Sequence, residues 1–280
     1  MQAAADRSVV YLRVAIYVVL YSVAIFVSAR LMVFALGYFL GVTLSQFLAA
    51  IVTNWLVLRI YGPRSLTDLG LKWNWASARN LGLGLAGGMG AAALVLAPPV
   101  AAHVAHFTPS VEAPPGLWAV LFTIVVLFAG SAGEEILFRG YAFQVLLEAW
   151  GPFTTVFTVA AVFALLHGGN PNSTGLALIN TAGFGALFGY AFLRSHDLWL
   201  PIGLHFGWNF ALPLFGVNVS GLTIKLMGHD MQWTVGSIWS GGEYGPEGSV
   251  LTTVALGVLA LFVWKAPIRK QQSGIVPCVS

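Results

Sequence analysis

The chain has 280 residues, of which 58% are hydrophobic and only 8% charged, with a mean hydropathy of +0.83. A soluble domain carries about 25% charged residues, so this composition excludes one and indicates a polytopic helical membrane protein. The net charge of +3 comes without any Lys/Arg-rich run, which argues against a nucleic-acid partner; in a membrane protein the basic residues report topology instead.

Apolar stretches near the length that crosses a bilayer recur along the chain. They predict an all-α transmembrane bundle of about eight spans. The first runs from Val9 to Ser28. Arg7 and Arg13 lie at its N-terminal end, before the long apolar run, and no small-residue cleavage site stands out, so it reads as a retained span. The second follows a turn near Arg30 and reaches Leu58. A polar stretch from Arg59 to Arg79 contains the turn signals Gly62-Pro63 and Asp68-Leu69-Gly70. The third span runs from Leu81 to His106, and Pro98-Pro99 should kink or end it. After the connector Pro109 to Gly116, the fourth span starts at Leu117 and carries Glu134, Glu135 and Arg139. Gly151-Pro152 breaks the chain again. Span five is Phe153 to His167, span six Thr174 to Leu193, and span seven Leu198 to Phe215. A longer connector, Gly216 to Gly248, holds Trp233, Trp239 and Tyr244, residue types suited to a membrane–water interface. Span eight is Ser249 to Trp264.

With both termini cytoplasmic, ten of the 13 Lys and Arg fall on the inside: Arg7, Arg13, Arg59, Arg64, Lys72, Arg79, Arg194, Lys265, Arg269 and Lys270. Arg30 and Lys225 fall outside, and the positive-inside rule favours this asymmetry. The expected organisation is one integral membrane domain. Residues 1–116 form three N-terminal spans, 117–215 a catalytic core of four, and 216–280 an extracytoplasmic connector, the last span and a cytoplasmic tail. Two glycine pairs, Gly84 with Gly88 and Gly185 with Gly189, have the four-residue spacing that lets helix backbones approach in lipid. The single Cys278 excludes an intrachain disulfide and a Cys-rich metal site, and Cys278-Val279-Ser280 is one residue short of a prenylation box.

The polar groups inside the spans carry the chemistry. A charge at a helix centre costs roughly 2.5–3.5 kcal/mol on insertion scales, yet Glu134, Glu135 and Arg139 sit together in one apolar run. Glu135 and Arg139 are i and i+4 with the acid first, the favourable order for an ion pair. Glu134 is turned about 100° away. Arg139 therefore neutralises Glu135 and leaves Glu134 as a free carboxylate, able to accept a proton. His167 ends span five, four residues after Phe163. His205 and Asn209 on span seven share one helix face. With Trp150 as the inner end of span four, Glu134 lies ~24 Å up, His167 ~21 Å above Phe153, and His205 and Asn209 ~10 and ~16 Å above Leu198. Bringing these together requires a bend, expected at Ala129-Gly130-Ser131-Ala132-Gly133. There is no His-Glu-x-x-His zinc motif, and Ser131 has the wrong glycine spacing for a nucleophile elbow. His103 and His106 read as interfacial, and His196 and His229 as solvated connector residues.

Glu134-Glu135-x-x-x-Arg139, Phe163-x-x-x-His167 and His205-x-x-x-Asn209 resemble, in order and spacing, the three motifs of the CPBP intramembrane proteases. That family includes type II CAAX prenyl endopeptidases and bacterial proteins of bacteriocin processing and self-immunity. The resemblance spans Gly133 to Asn209. It implies an eight-helix endopeptidase of a bacterial inner membrane, acting on a membrane-associated protein or peptide. In that reading Glu134 and His167 activate water, His205 and Asn209 stabilise the oxyanion, and Glu135 with Arg139 supports the site. Zinc is the open cofactor question, since Glu134, His167 and His205 also make a two-histidine, one-carboxylate set. Asn209, a poor zinc ligand but a good oxyanion donor, favours metal-independent chemistry. The competing classes are a scaffold or bacteriocin-immunity protein of the same fold, and a transporter using the carboxylate as a proton site. The latter would more often show internal repeats, and none is evident.

Overall fold

The computed structural model describes residues 7–271 and 274–275, so Cys278 lies outside the described residues. Helix α1 (Arg7–Leu36) and helix α2 (Tyr38–Ile60) form an antiparallel pair turned at Gly37, whose φ of 81° a β-carbon would strain. The turn is not at Arg30. That guanidinium lies 4.1 Å from the Phe26 ring and Ser28 Oγ donates back to Ala24 O at 2.7 Å, so both residues remain within the helix. Helix α3 (Trp75–Ala101) starts at Asn74, whose side chain accepts from Ser77 N. It ends two residues after Pro98-Pro99, earlier than His106. Strand β1 (Ala105–Pro109) follows and pairs antiparallel with strand β2 (His229–Trp233) from the long connector. The sequence reading anticipated neither strand.

Helices α4 (Leu117–Arg139), α5 (Tyr141–His167), α6 (Gly175–Ser195) and α7 (Trp199–Leu214) come next. Helix α5 kinks at Gly151, φ 76°, before Pro152. A single helical turn, α8 (Ser237–Ser240), precedes the last helix, α9 (Val250–Lys265). Among the described residues, five segments are long and apolar enough to cross a membrane: Arg7–Leu36, Tyr38–Ile60, Trp75–Ala101, Leu117–His167 and Gly175–Ser195. Helix α9 is apolar and shorter.

Two features of this packing set the position of the site. The first is a backbone contact between α3 and α7. A β-carbon on Gly84 would stand 2.5 Å from Leu200 O, one on Gly203 2.5 Å from Leu81 O, and one on Gly207 2.6 Å from Leu85 O. Gly88 meets Leu204 O still more closely. Four glycines thus let two helices touch, as lipid-embedded helices with small-residue spacing do. On α7, His205 and Asn209 each lie two residues from Gly207, so they project from the opposite side of the helix. Gly185 and Gly189 play the parallel part between α6 and α5, against Ala160 and Val156.

The second is the break between α4 and α5. The sequence placed it at Ala129 to Gly133, but α4 runs straight through that segment. Gly133 is spent on close packing instead, its β-carbon position lying 2.9 Å from Phe47 Cα. The break is at Gly140, where a β-carbon would meet Ile136 O and stand 2.5 Å from Asn54 Oδ1. A helix end leaves carbonyls and N–H groups without intrahelical partners, and remote side chains supply them here. Asn54 Nδ2 donates to Ile136 O at 3.1 Å, and Asn54 Oδ1 accepts from Tyr141 N at 2.8 Å. Tyr17 donates to Leu137 O and Gln144 to Arg139 O. Glu134 therefore sits near the end of its helix, five residues before its last residue, rather than far above a continuous span ending at Trp150.

Candidate active site

Three helices converge on Glu134. His167 is the last residue of α5, and His205 lies at mid-height in α7. Their Nε2 atoms stand 3.7 and 3.8 Å from Glu134 Oε2. Both distances exceed hydrogen-bond reach. Glu134 Oε2 is buried and has no hydrogen-bond partner among the described residues. The groups remain open enough for small molecules, with about a fifth of the Glu134 side chain exposed.

The outer nitrogens of both imidazoles are engaged. His167 Nδ1 lies 2.8 Å from Phe163 O. A carbonyl oxygen only accepts, so Nδ1 carries a proton and Nε2 faces Glu134. His205 Nδ1 lies 2.9 Å from Glu135 Oε1, a carboxylate with no exposed surface. The same oxygen lies 3.3 Å from Arg139 Nη1, which is equally buried. Arg139 Nη2 donates to Gly185 O at 2.7 Å, and the rings of Phe138, Phe163 and Phe188 surround the guanidinium at 5.8, 5.2 and 5.5 Å. The expected Glu135–Arg139 pair is therefore present, and it reaches one residue further than the i, i+4 spacing indicated, to His205. Phe188 stacks on the His205 ring with centroids 4.9 Å apart.

Asn209 Nδ2 donates to Ser131 Oγ at 3.3 Å. Ser131 is a site neighbour that the sequence reading set aside. It lies three residues before Glu134, on the same face of α4, and that spacing was the available signal. A cavity lined by His167, His205 and Asn209 also has Trp208, Ser220 and Glu247 in its wall. Glu247 comes from the connector, where no local motif marked it.

No group of three or more His, Cys, Asp or Glu side chains among the described residues is arranged to hold a metal ion. The donors of Glu134, His167 and His205 have zinc-ligand chemistry. Their separations of 3.7 and 3.8 Å are wider than the roughly 3.3 Å between ligands of a tetrahedral zinc. As placed, the set does not fit the ion. His103, just before β1, and His106, within it, are exposed and take no part. His196 and His229 are not the solvated residues expected. His196 is 8% exposed at the left-handed cap of α6, its ring stacked over Phe192 and its pKa held down by burial. His229 packs edge-on to Phe107.

Residues 116–211 match the family described as type II CAAX prenyl endopeptidase Rce1-like. The matched stretch runs from the residue before α4 to near the end of α7 and includes Glu134, Glu135, Arg139, His167, His205 and Asn209. No curated protein matches the chain.

Proposed function

We propose that this chain, whose residues 116–211 match the Rce1-like family of type II CAAX prenyl endopeptidases, hydrolyses a peptide bond in a membrane with water activated by Glu134. The family is one of peptide hydrolases acting at membranes, and the resemblance of the sequence points to a bacterial inner membrane. The observation that carries the residue assignment is Glu134 Oε2. It is buried, has no hydrogen-bond partner among the described residues, and lies between two imidazole nitrogens. A polar gap beyond direct hydrogen-bond reach is where a bridging water can sit.

In this reading a water held between Glu134 Oε2 and His167 Nε2 is the nucleophile. The Phe163 carbonyl fixes the His167 ring so that Nε2 accepts. As the water oxygen bonds to the carbonyl carbon, its proton passes to Glu134. The carbonyl π electrons move to oxygen and form the oxyanion. Asn209 Nδ2 donates to that oxygen, exchanging its contact with Ser131. His205 donates from Nε2, which requires protons on both ring nitrogens, and Glu135 supplies the counter-charge at Nδ1. When the C–N bond breaks, the proton on Glu134 goes to the departing amine. Glu135 and Arg139 are positioning residues, acting through His205 and the backbone of α6.

The scheme grades its variants. Asn209→Ala should lower kcat by about 10²- to 10³-fold, the usual effect of losing one oxyanion donor. Glu134→Gln should lower it further, to the background rate. Both are measured on a fluorogenic peptide with protein in lipid vesicles. Equal activity of Asn209→Ala and wild type removes Asn209 from the oxyanion site.

A further inference from the structure

The cavity that holds His167, His205 and Asn209 has a carboxylate in its wall, Glu247, that the hydrolytic scheme leaves unused. Glu247 is 7% exposed and lies in the turn Pro246–Gly248, outside the stretch that matches the family. Its Oε1 accepts from Trp208 Nε1 at 3.1 Å. Its Oε2 accepts from the backbone N–H of Ser220 and from Ser220 Oγ, the latter at 2.9 Å. An indole N–H and a peptide N–H only donate. Each carboxylate oxygen thus receives at least one obligatory donor, an arrangement suited to the ionised group. Its own backbone is held as well, since Asn180 Nδ2 donates to Glu247 O at 2.8 Å and to Ser249 O at 2.9 Å.

The placement matters more than the tie. Trp208 lies between His205 and Asn209 on α7, and Ser220 lines the same cavity. A substrate chain whose carbonyl meets Asn209 and His205 must run beside this wall. A charge in a confined, poorly hydrated cavity is weakly screened. A carboxylate has about four lone-pair sites, and the three donors leave acceptor capacity for a substrate group.

We propose that Glu247 is a specificity determinant. The substrate segment held in this cavity is neutral, cationic or a hydrogen-bond donor, and a segment that brings a side-chain carboxylate there is rejected. This deepens the protease reading above and rests on it.

The test uses the full chain in lipid vesicles, buffered well above the carboxylate range because burial pushes the Glu247 carboxyl up. The probes are reporter peptides that differ only in carrying Ala, Lys or Glu at one of three positions on either side of the cleaved bond. For wild type, Glu at one or more positions on one side should lower kcat/KM at least about tenfold relative to Ala, while Lys does not. Glu247→Gln should reduce that ratio to within about threefold, the Ala peptide serving as each protein's own reference so that a general loss of activity cancels. Ser220→Ala keeps the carboxylate and should keep the discrimination. The wild-type ratios need no variant, so equal cleavage of Ala and Glu peptides at every position overturns the inference even if Glu247→Gln fails to fold. Discrimination that survives unchanged in folded Glu247→Gln overturns it too. If wild type cleaves none of the peptides, the protease reading itself fails, and this inference with it.

Discussion

Arg139 is a full positive charge with no exposed side-chain surface. Burying one ion costs several kcal/mol even after relaxation, and the residue is tolerable because Glu135 and Phe138 of its own helix, Phe163 of α5, and the Gly185 carbonyl and Phe188 of α6 meet it. Removing one partner of such a pair strands the other. Arg139→Ala should destabilise the protein by about 3–5 kcal/mol, read from unfolding in detergent, and an unchanged Tm would contradict this account of the pair. Its Glu135 partner was legible in the sequence because the two lie on one helix turn. The His205 contact to Glu135 was not, because 70 residues separate them. Glu247 gives a pH signature of its own. Burial raises its folded pKa above the unfolded value. Its folded state therefore binds the proton more tightly, and the associated stability is fully present below the unfolded pKa and lost as pH rises through the folded one. Relative to Glu247→Gln, wild type should lose Tm as pH rises across that interval, and a pH-independent difference in Tm would contradict the burial.

At the scale of elements, the α3–α7 contact fixes where His205 and Asn209 point. Gly207→Leu should be severely destabilising, because its β-carbon position lies 2.6 Å from Leu85 O and backbone cannot yield as a side chain can. A β-carbon at Gly82 on α3 would meet nothing within 4 Å, so Gly82→Leu should be tolerated. Comparable thermal stability of the two variants would show that the helices do not pack through these glycines. The Gly84/Gly88 pair announced this interface through its spacing alone. The α4–α5 break did not announce itself. Glycines at 130 and 133 look like hinge material in sequence, whereas the real break at Gly140 is held by Asn54 and Tyr17 from α2 and α1. Strands β1 and β2 were hidden for a similar reason. Each is five residues long and gains its hydrogen bonds from a partner more than a hundred residues away.

For the whole molecule, the long helices were readable from hydropathy and the six motif residues from their spacing. What the chain's local pattern omits is the connector after α7. It folds back so that Ser220 and Glu247 enter the wall beside the histidines. The bundle thus delivers Glu134, His167, His205 and Asn209 from three helices and closes the cavity with a segment that carries no motif. The most direct test of hydrolysis at Glu134 is mass spectrometry of a peptide substrate incubated with wild type and with Glu134→Gln, both in lipid vesicles and matched for Tm. A general base contributes about 10²- to 10⁴-fold, so wild type should yield two fragments with water added at one bond, and the variant none above background. Cleavage by Glu134→Gln at the wild-type rate would contradict the account.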